Sequence, residues 1–173
     1  MDKQELLIEV ENTSAELLKL FSSLDEEQLN KVPFEGSWTA GQLAEHLIKA
    51  TSAGLLYTST TPTIRQPDEK LEPIRNLFMN FDVKFESPDF IRPTSTYHKK
   101  DEVEQTLQSR WNEMQQAAET LDLTATCTGF DLPGFGQLTR MELIGFAAIH
   151  TQRHIRQLRN IISKVKATPS LQP

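Results

Sequence analysis

Two segments of this chain open in the same way, which fixes where two of its helices begin. Thr39 and Gln42 form a Ser/Thr-x-x-Glu/Gln capping box, with Trp38 and Leu43 placed as a hydrophobic staple. Thr139 and Glu142 repeat the box, with Leu138 and Leu143 as the staple. Behind each start, apolar residues recur at three- and four-residue spacings, the period of a helix with one buried face. The first of these helices is expected to run to about Thr58, with Leu43, His46, Leu47 and Ala50 facing inward. The second carries a wide apolar stripe from Leu143 through Ile155 to Val165, so it should be substantially buried.

Two further segments share that period. Residues 2–24 place Leu6, Val10, Leu17 and Phe21 on one stripe. Residues 101–121 place Val103, Leu107, Met114, Ala118 and Leu121 on one side, with either Arg110 or Trp111 completing the row. The segment 25–38 reads as a connection broken by Pro33 and Gly36, and the glycine-rich stretch LTATCTGFDLPGFGQ as a loop. Residues 59–98 hold five prolines and no sustained period beyond a short helix around KLEPIRNLF. A connection of this length usually has a role of its own, and it can cross a bundle and cover one end. No stretch alternates convincingly as a strand. The expectation is an all-α four-helix bundle with a long connection between helices two and three, a single domain over 1–166 and a frayed tail at 167–173.

Composition narrows the function. At 173 residues the chain is long enough to bury a core. It lacks the roughly 20 consecutive apolar residues of a membrane span, and its charged, amphipathic start is unlike a signal peptide. A net charge of −6 argues against a nucleic-acid partner. The basic run from Arg153 to Lys166 suits a solvated face at a helix C-terminus. Cys127 stands alone, which excludes an internal disulfide and favours a reducing cytoplasm; it is expected to be an inert thiol.

The chemistry lies in the histidines. His150 and His154, four apart on the last helix, project from one face and can grip one divalent ion between neutral imidazoles. His46, on the second helix, also points inward by periodicity. It lies 7 residues past its cap, about 10 Å into its helix, while His154 lies about 15 Å from the expected far end of the last helix. Antiparallel pairing therefore brings the three to similar depth, and parallel pairing brings them less close. Three histidines leave an open coordination position, which permits catalysis as a closed structural site does not. Gln157 is placed to orient an imidazole. The fourth histidine, His98, reads as a surface residue. Glu45, Glu142 and Arg153 are charged neighbours that could move protons or bind substrate, but each reads first as part of a solvated helix face.

The run Trp38 to Leu47, W-T-x-G-Q-L-x-E-H-L, and the run His150 to Gln157, H-x-x-x-H-x-x-Q, resemble the DinB-like (YfiT-like) superfamily of metalloproteins, distinct from the DNA polymerase that shares the name. The resemblance spans nearly the whole chain. It implies up-down-down-up topology, frequent homodimers, and a divalent transition metal, zinc or nickel, held by His46, His150 and His154. It also implies a metal-dependent transferase using a low-molecular-weight thiol such as bacillithiol, or a hydrolase, acting on a small-molecule substrate. Two rivals stand beside that expectation: a non-catalytic, stress-associated metal-binding scaffold, and a dimerisation module whose histidines only fill the core.

Overall fold

The computed structural model describes residues 1–167. Of the tail expected at 167–173, Ala167 is the last residue of a helix, and 168–173 lie outside the described residues. The chain is mostly helical, and its four long helical segments fall where the apolar periods place them. α1 spans Lys3–Ser22 and α5 spans Lys100–Thr120. α3 spans Ala40–Ala50 and α6 spans Arg140–Ala167. The Thr39 box is formed in both directions, with the Gln42 amide donating to Thr39 Oγ1 and the Thr39 amide to Gln42 Oε1. The Thr139 box is closed in the same way by Glu142. Inside, Leu6, Leu17, Phe21, Leu43, Leu107 and Trp111 are fully buried in one core. Trp111, not Arg110, completes the inner row of α5; the Arg110 side chain pairs with Glu113.

Three local expectations are corrected. The second helix stops at Ala50 rather than near Thr58. Thr51 Oγ1 donates back to the Leu47 carbonyl, and the Ser52 hydroxyl accepts from the Gly54 amide, starting a separate 3-10 turn at Ala53–Tyr57. Such side chains offer the backbone an alternative to the helix, and Gly54 gives the helix little reason to continue. The 25–38 connection contains a short helix, α2 (Glu26–Asn30), begun by an Asp25/Gln28 capping box.

The third correction concerns the stretch read as loop. β2 (Thr126–Leu132) and β3 (Gly136–Thr139) form an antiparallel hairpin, and β1 (Thr60–Thr61) adds to its other edge. The glycines that suggested a loop serve the reversal instead. Gly134 and Gly136 have φ of 83° and 67°, values that residues with a Cβ rarely adopt. The small sheet packs at one end of the helices and buries Cys127.

The long connection is not slack. It contains α4 (Leu71–Phe78) and a 3-10 turn at Asp89–Ile91. α4 lies against α6, and Gly145 makes room for it: a Cβ there would sit 2.5 Å from Leu71 Cδ2. Further along, Arg153 of α6 donates to the carbonyls of Phe78, Asn80 and Val83. The chain then crosses to α3, where Lys49 Nζ donates to the Arg92 carbonyl at 2.7 Å. The connection thus spans the two helices that carry the histidines. No helix among the described residues is long and apolar enough to cross a membrane.

Candidate metal centre

His46 sits on the face of α3 that also buries Leu43 and Leu47, so it enters the core with them and is 1% exposed. His150 and His154 come from successive turns of α6 and keep part of their surface accessible. The three Nε2 atoms converge. His46 Nε2 lies 3.1 Å from that of His154 and 3.4 Å from that of His150, and the last two are 3.1 Å apart.

The protons decide what this cluster is. His46 Nδ1 lies 3.0 Å from the carbonyl oxygen of Ile91, an acceptor only, so Nδ1 carries the proton. His154 Nδ1 lies 2.9 Å from Gln157 Oε1 and donates to it likewise. In the neutral rings both Nε2 atoms are then bare lone pairs, yet they face each other at 3.1 Å. A hydrogen bond cannot join them. A cation between them can: tetrahedral donors about 2.0–2.1 Å from zinc stand roughly 3.3–3.4 Å apart. The donor set and its spacing fit such an ion.

Charge agrees with geometry. Burial lowers the pKa of all three imidazoles, His150 well below its ordinary value and His154 to about 4. Mutual repulsion and the nearby Arg153 guanidinium push His150 and His154 the same way, while for His46 the Lys49 ammonium does so. The rings are therefore neutral, the form that binds metal. Among the described residues no carboxylate joins the group, so a divalent ion here would keep its full charge and its strength as a Lewis acid.

The other sequence candidates are placed by the structure, and most leave the cluster. Glu45 turns away from His46. It accepts from Lys49, from the amides of Thr94 and Ser95, and from His98 Nε2 at 2.9 Å. Desolvation would raise its pKa, but those donors together hold it well below the usual carboxylate range. Neither partner is the solvated or surface residue expected: His98 is mostly buried, its backbone tied to Asn30 by bonds of 2.7 and 2.8 Å. Glu142 is likewise no solvated face. It is 0% exposed and takes both arms of Arg65 together with the amides of Lys70 and Thr139. Arg153 lines the cleft beside the histidines, its two terminal nitrogens donating to three carbonyls. Cys127 is on a strand rather than in a loop, and burial raises its thiol pKa, in keeping with an inert role.

Sequence reasoning missed the Ile91 carbonyl, since a backbone acceptor leaves no mark in the side-chain pattern. It also missed the rings around the cluster. Trp38, noticed only as a staple, packs on His46 at 5.2 Å between ring centroids. Phe146 lies 5.7 Å from His150, and Phe78 6.2 Å. These rings belong to a cleft of about 1200 Å³ that opens from the histidines to solvent.

No curated protein and no solved structure matches this chain. A family model does, described as the DinB superfamily and matched over residues 9–158, which takes in His46, His150 and His154. The matched segment covers most of the 173 residues, and this chain belongs to the DinB superfamily.

Proposed function

We propose that this protein is a metal-dependent enzyme acting on a small molecule, with His46, His150 and His154 as the ligands of one zinc or nickel ion. The observation that carries this reading is the 3.1 Å approach of the His46 and His154 Nε2 atoms while both Nδ1 protons are spent elsewhere. When bound, the ion would supply a Lewis acid that brings the pKa of a water or a small-molecule thiol toward neutrality. The chain's part is to hold three neutral nitrogens, to orient two of them through Ile91 and Gln157, and to keep His150 and His154 accessible from the cleft. A transferase using a low-molecular-weight thiol and a hydrolase both fit this arrangement. Glu45 and Glu142 are bound up in their own contacts, so neither is assigned as a general base.

The finer fold reading belongs to the same proposal: one domain over 1–166, with α1, α3, α5 and α6 as an up-down-down-up bundle. Contacts that advance in step support it. Glu9 meets Gln152 and Glu16 meets Arg159, as parallel helices would. Lys3 reaches the carbonyl of Glu119 while Lys100 reaches that of Ser22, as antiparallel helices would. Arg140, at the start of α6, bridges the carbonyls of Leu56 and Asp122, so the segments ending there run against it. A homodimer in a cytoplasmic setting rests on the family resemblance and on the lone, reduced cysteine.

The test is metal content per chain for the wild type beside a His150→Ala/His154→Ala double variant. Near-stoichiometric zinc or nickel that disappears in the variant supports the site. Equal metal in both, or none in wild type after incubation with either ion, overturns it. The rival scaffold role draws on the way the cluster ties α3, α6 and the Ile91 turn together. Chelation separates the two, since a scaffold would unfold on losing the ion.

A further inference from the structure

The cleft beside the histidines is built for something other than a small polar metabolite. Its volume, about 1200 Å³, exceeds the roughly 300–1,000 Å³ of ordinary ligand pockets. Its walls are dominated by apolar side chains. One wall is a chain of rings that leads outward from the cluster: Phe146 and Phe78 flank His150, and Phe85 stacks on Phe78 with centroids 4.9 Å apart and planes within 10°. Phe85 is 43% exposed, which places it near the mouth, and there Phe90 (70%) and Phe34 (50%) also stand open to solvent. Leu56 of the 3-10 turn at Ala53–Tyr57, Met114 of α5 and Leu132 of β2 line the same space.

The charges around it are uneven. Four cationic side chains, Lys49, Lys84, Arg92 and Arg153, share the lining with two carboxylates, Glu86 and Asp131. Lys49 is also paired with Glu45 and Arg92 with Asp89, which leaves Lys84 and Arg153 as the lining cations not paired with a carboxylate among the described residues. The imidazoles at the inner end are bare donors positioned for a cation. A ligand that matched both ends would carry an anionic or lone-pair-rich head inward and an extended apolar body toward the mouth.

We propose that the substrate is an amphipathic small molecule of this kind: a metal-coordinating anionic head on a long aliphatic or aromatic body, the body lying along Phe146, Phe78 and Phe85. The proposal rests on the metal-enzyme reading for the head alone; the body is read from the cleft. The segment bearing Phe85 and Phe90 is the same one whose Ile91 carbonyl orients His46 and whose Val83 carbonyl is held by Arg153. A body seated there touches the segment that fixes a metal ligand.

Alkyl hydroxamates test this, because the head chelates zinc while the tail is varied. Calorimetric titration of zinc-loaded protein should show affinity rising roughly threefold per added methylene, so that octyl hydroxamate binds a hundredfold or more tighter than acetohydroxamate. Phe85→Ala and Phe90→Ser, both at the mouth, should flatten that rise while zinc content per chain stays as in wild type. Affinity independent of tail length in wild type would overturn the proposal and leave the metal site standing. If the protein takes up no zinc, displacement of anilinonaphthalene sulfonate by octyl hydroxamate answers for the body alone. Displacement that weakens in Phe85→Ala upholds the apolar cleft while the metal reading fails, and no displacement overturns both.

Discussion

Gln157 Oε1 accepts from His154 Nδ1 at 2.9 Å, one turn further along the same helix. This bond fixes the tautomer of His154 and aims its Nε2 at His46. A leucine at 157 would keep the helix but leave the imidazole free to turn or to shift its proton onto Nε2. We expect Gln157→Leu to lower zinc affinity roughly tenfold to a hundredfold, the usual effect of losing a partner behind a metal-bound histidine. Competition against a chelating dye measures it. Wild-type affinity in the variant would mean that packing alone orients the ring.

Metal should stabilise the fold without being required for it. Leu6, Leu17, Phe21, Leu107 and Trp111 are buried in a core drawn from several helices, and none of them lines the cleft at the cluster. Zinc at about 100 times its dissociation constant adds about 2.7 kcal/mol. For a chain of this size that is a rise of roughly 5–10 °C in Tm. Thermal melts of chelated and zinc-loaded protein should differ by that much, with a cooperative transition in both. In His46→Ala the two melts should coincide. Unfolding of the wild type by chelator would move the reading to the scaffold role.

The Arg65–Glu142 pair should be among the costliest to break. Glu142 is wholly buried and serves four donors: two arms of Arg65 and the amides of Lys70 and Thr139. Glu142→Ala leaves a largely buried guanidinium without its carboxylate, an arrangement that costs about 3–5 kcal/mol. It also opens the capping box of α6, worth about 1 kcal/mol more. Denaturant unfolding should show the loss at an unchanged slope. A loss under about 1 kcal/mol would show that water replaces the carboxylate.

These residues also show what the sequence discloses. The capping boxes at Thr39 and Thr139, the inward faces of α3 and α6 and the placing of Gln157 behind an imidazole were legible, because each is written in local spacing. That His46 meets the α6 pair was expected from depth along the two helices and from the family resemblance. Long-range partners were not. Glu142 looked like a helix-start carboxylate, which it is, but Arg65 lies 77 positions away and nothing in the spacing links them. The β2–β3 hairpin was hidden because its short strands are interrupted by the glycines that shape its turn. His98 looked exposed because its neighbours Tyr97, Lys99 and Lys100 are polar, while its burial is decided by Asn30 and Glu45 on other elements.

Gly41 and His98 give the last prediction. A Cβ at Gly41 would lie 2.7 Å from His98 Nδ1 and 3.0 Å from His98 Cβ, well inside contact distance. His98 cannot step aside easily. Its backbone is held on both sides by Asn30, and its ring by Glu45 at 2.9 Å. Alanine is the better helix former by about 1 kcal/mol, so propensity alone predicts that Gly41→Ala stabilises α3. The clash should win, because overpacking against a pinned ring costs about 1–3 kcal/mol. A double-mutant cycle separates the two effects. Gly41→Ala should destabilise the wild type, whereas in a His98→Ala background, with the ring gone, the same change should be neutral or stabilising. Equal effects in the two backgrounds would show that His98 does not limit the space at Gly41, and that the glycine serves the backbone of the first turn instead.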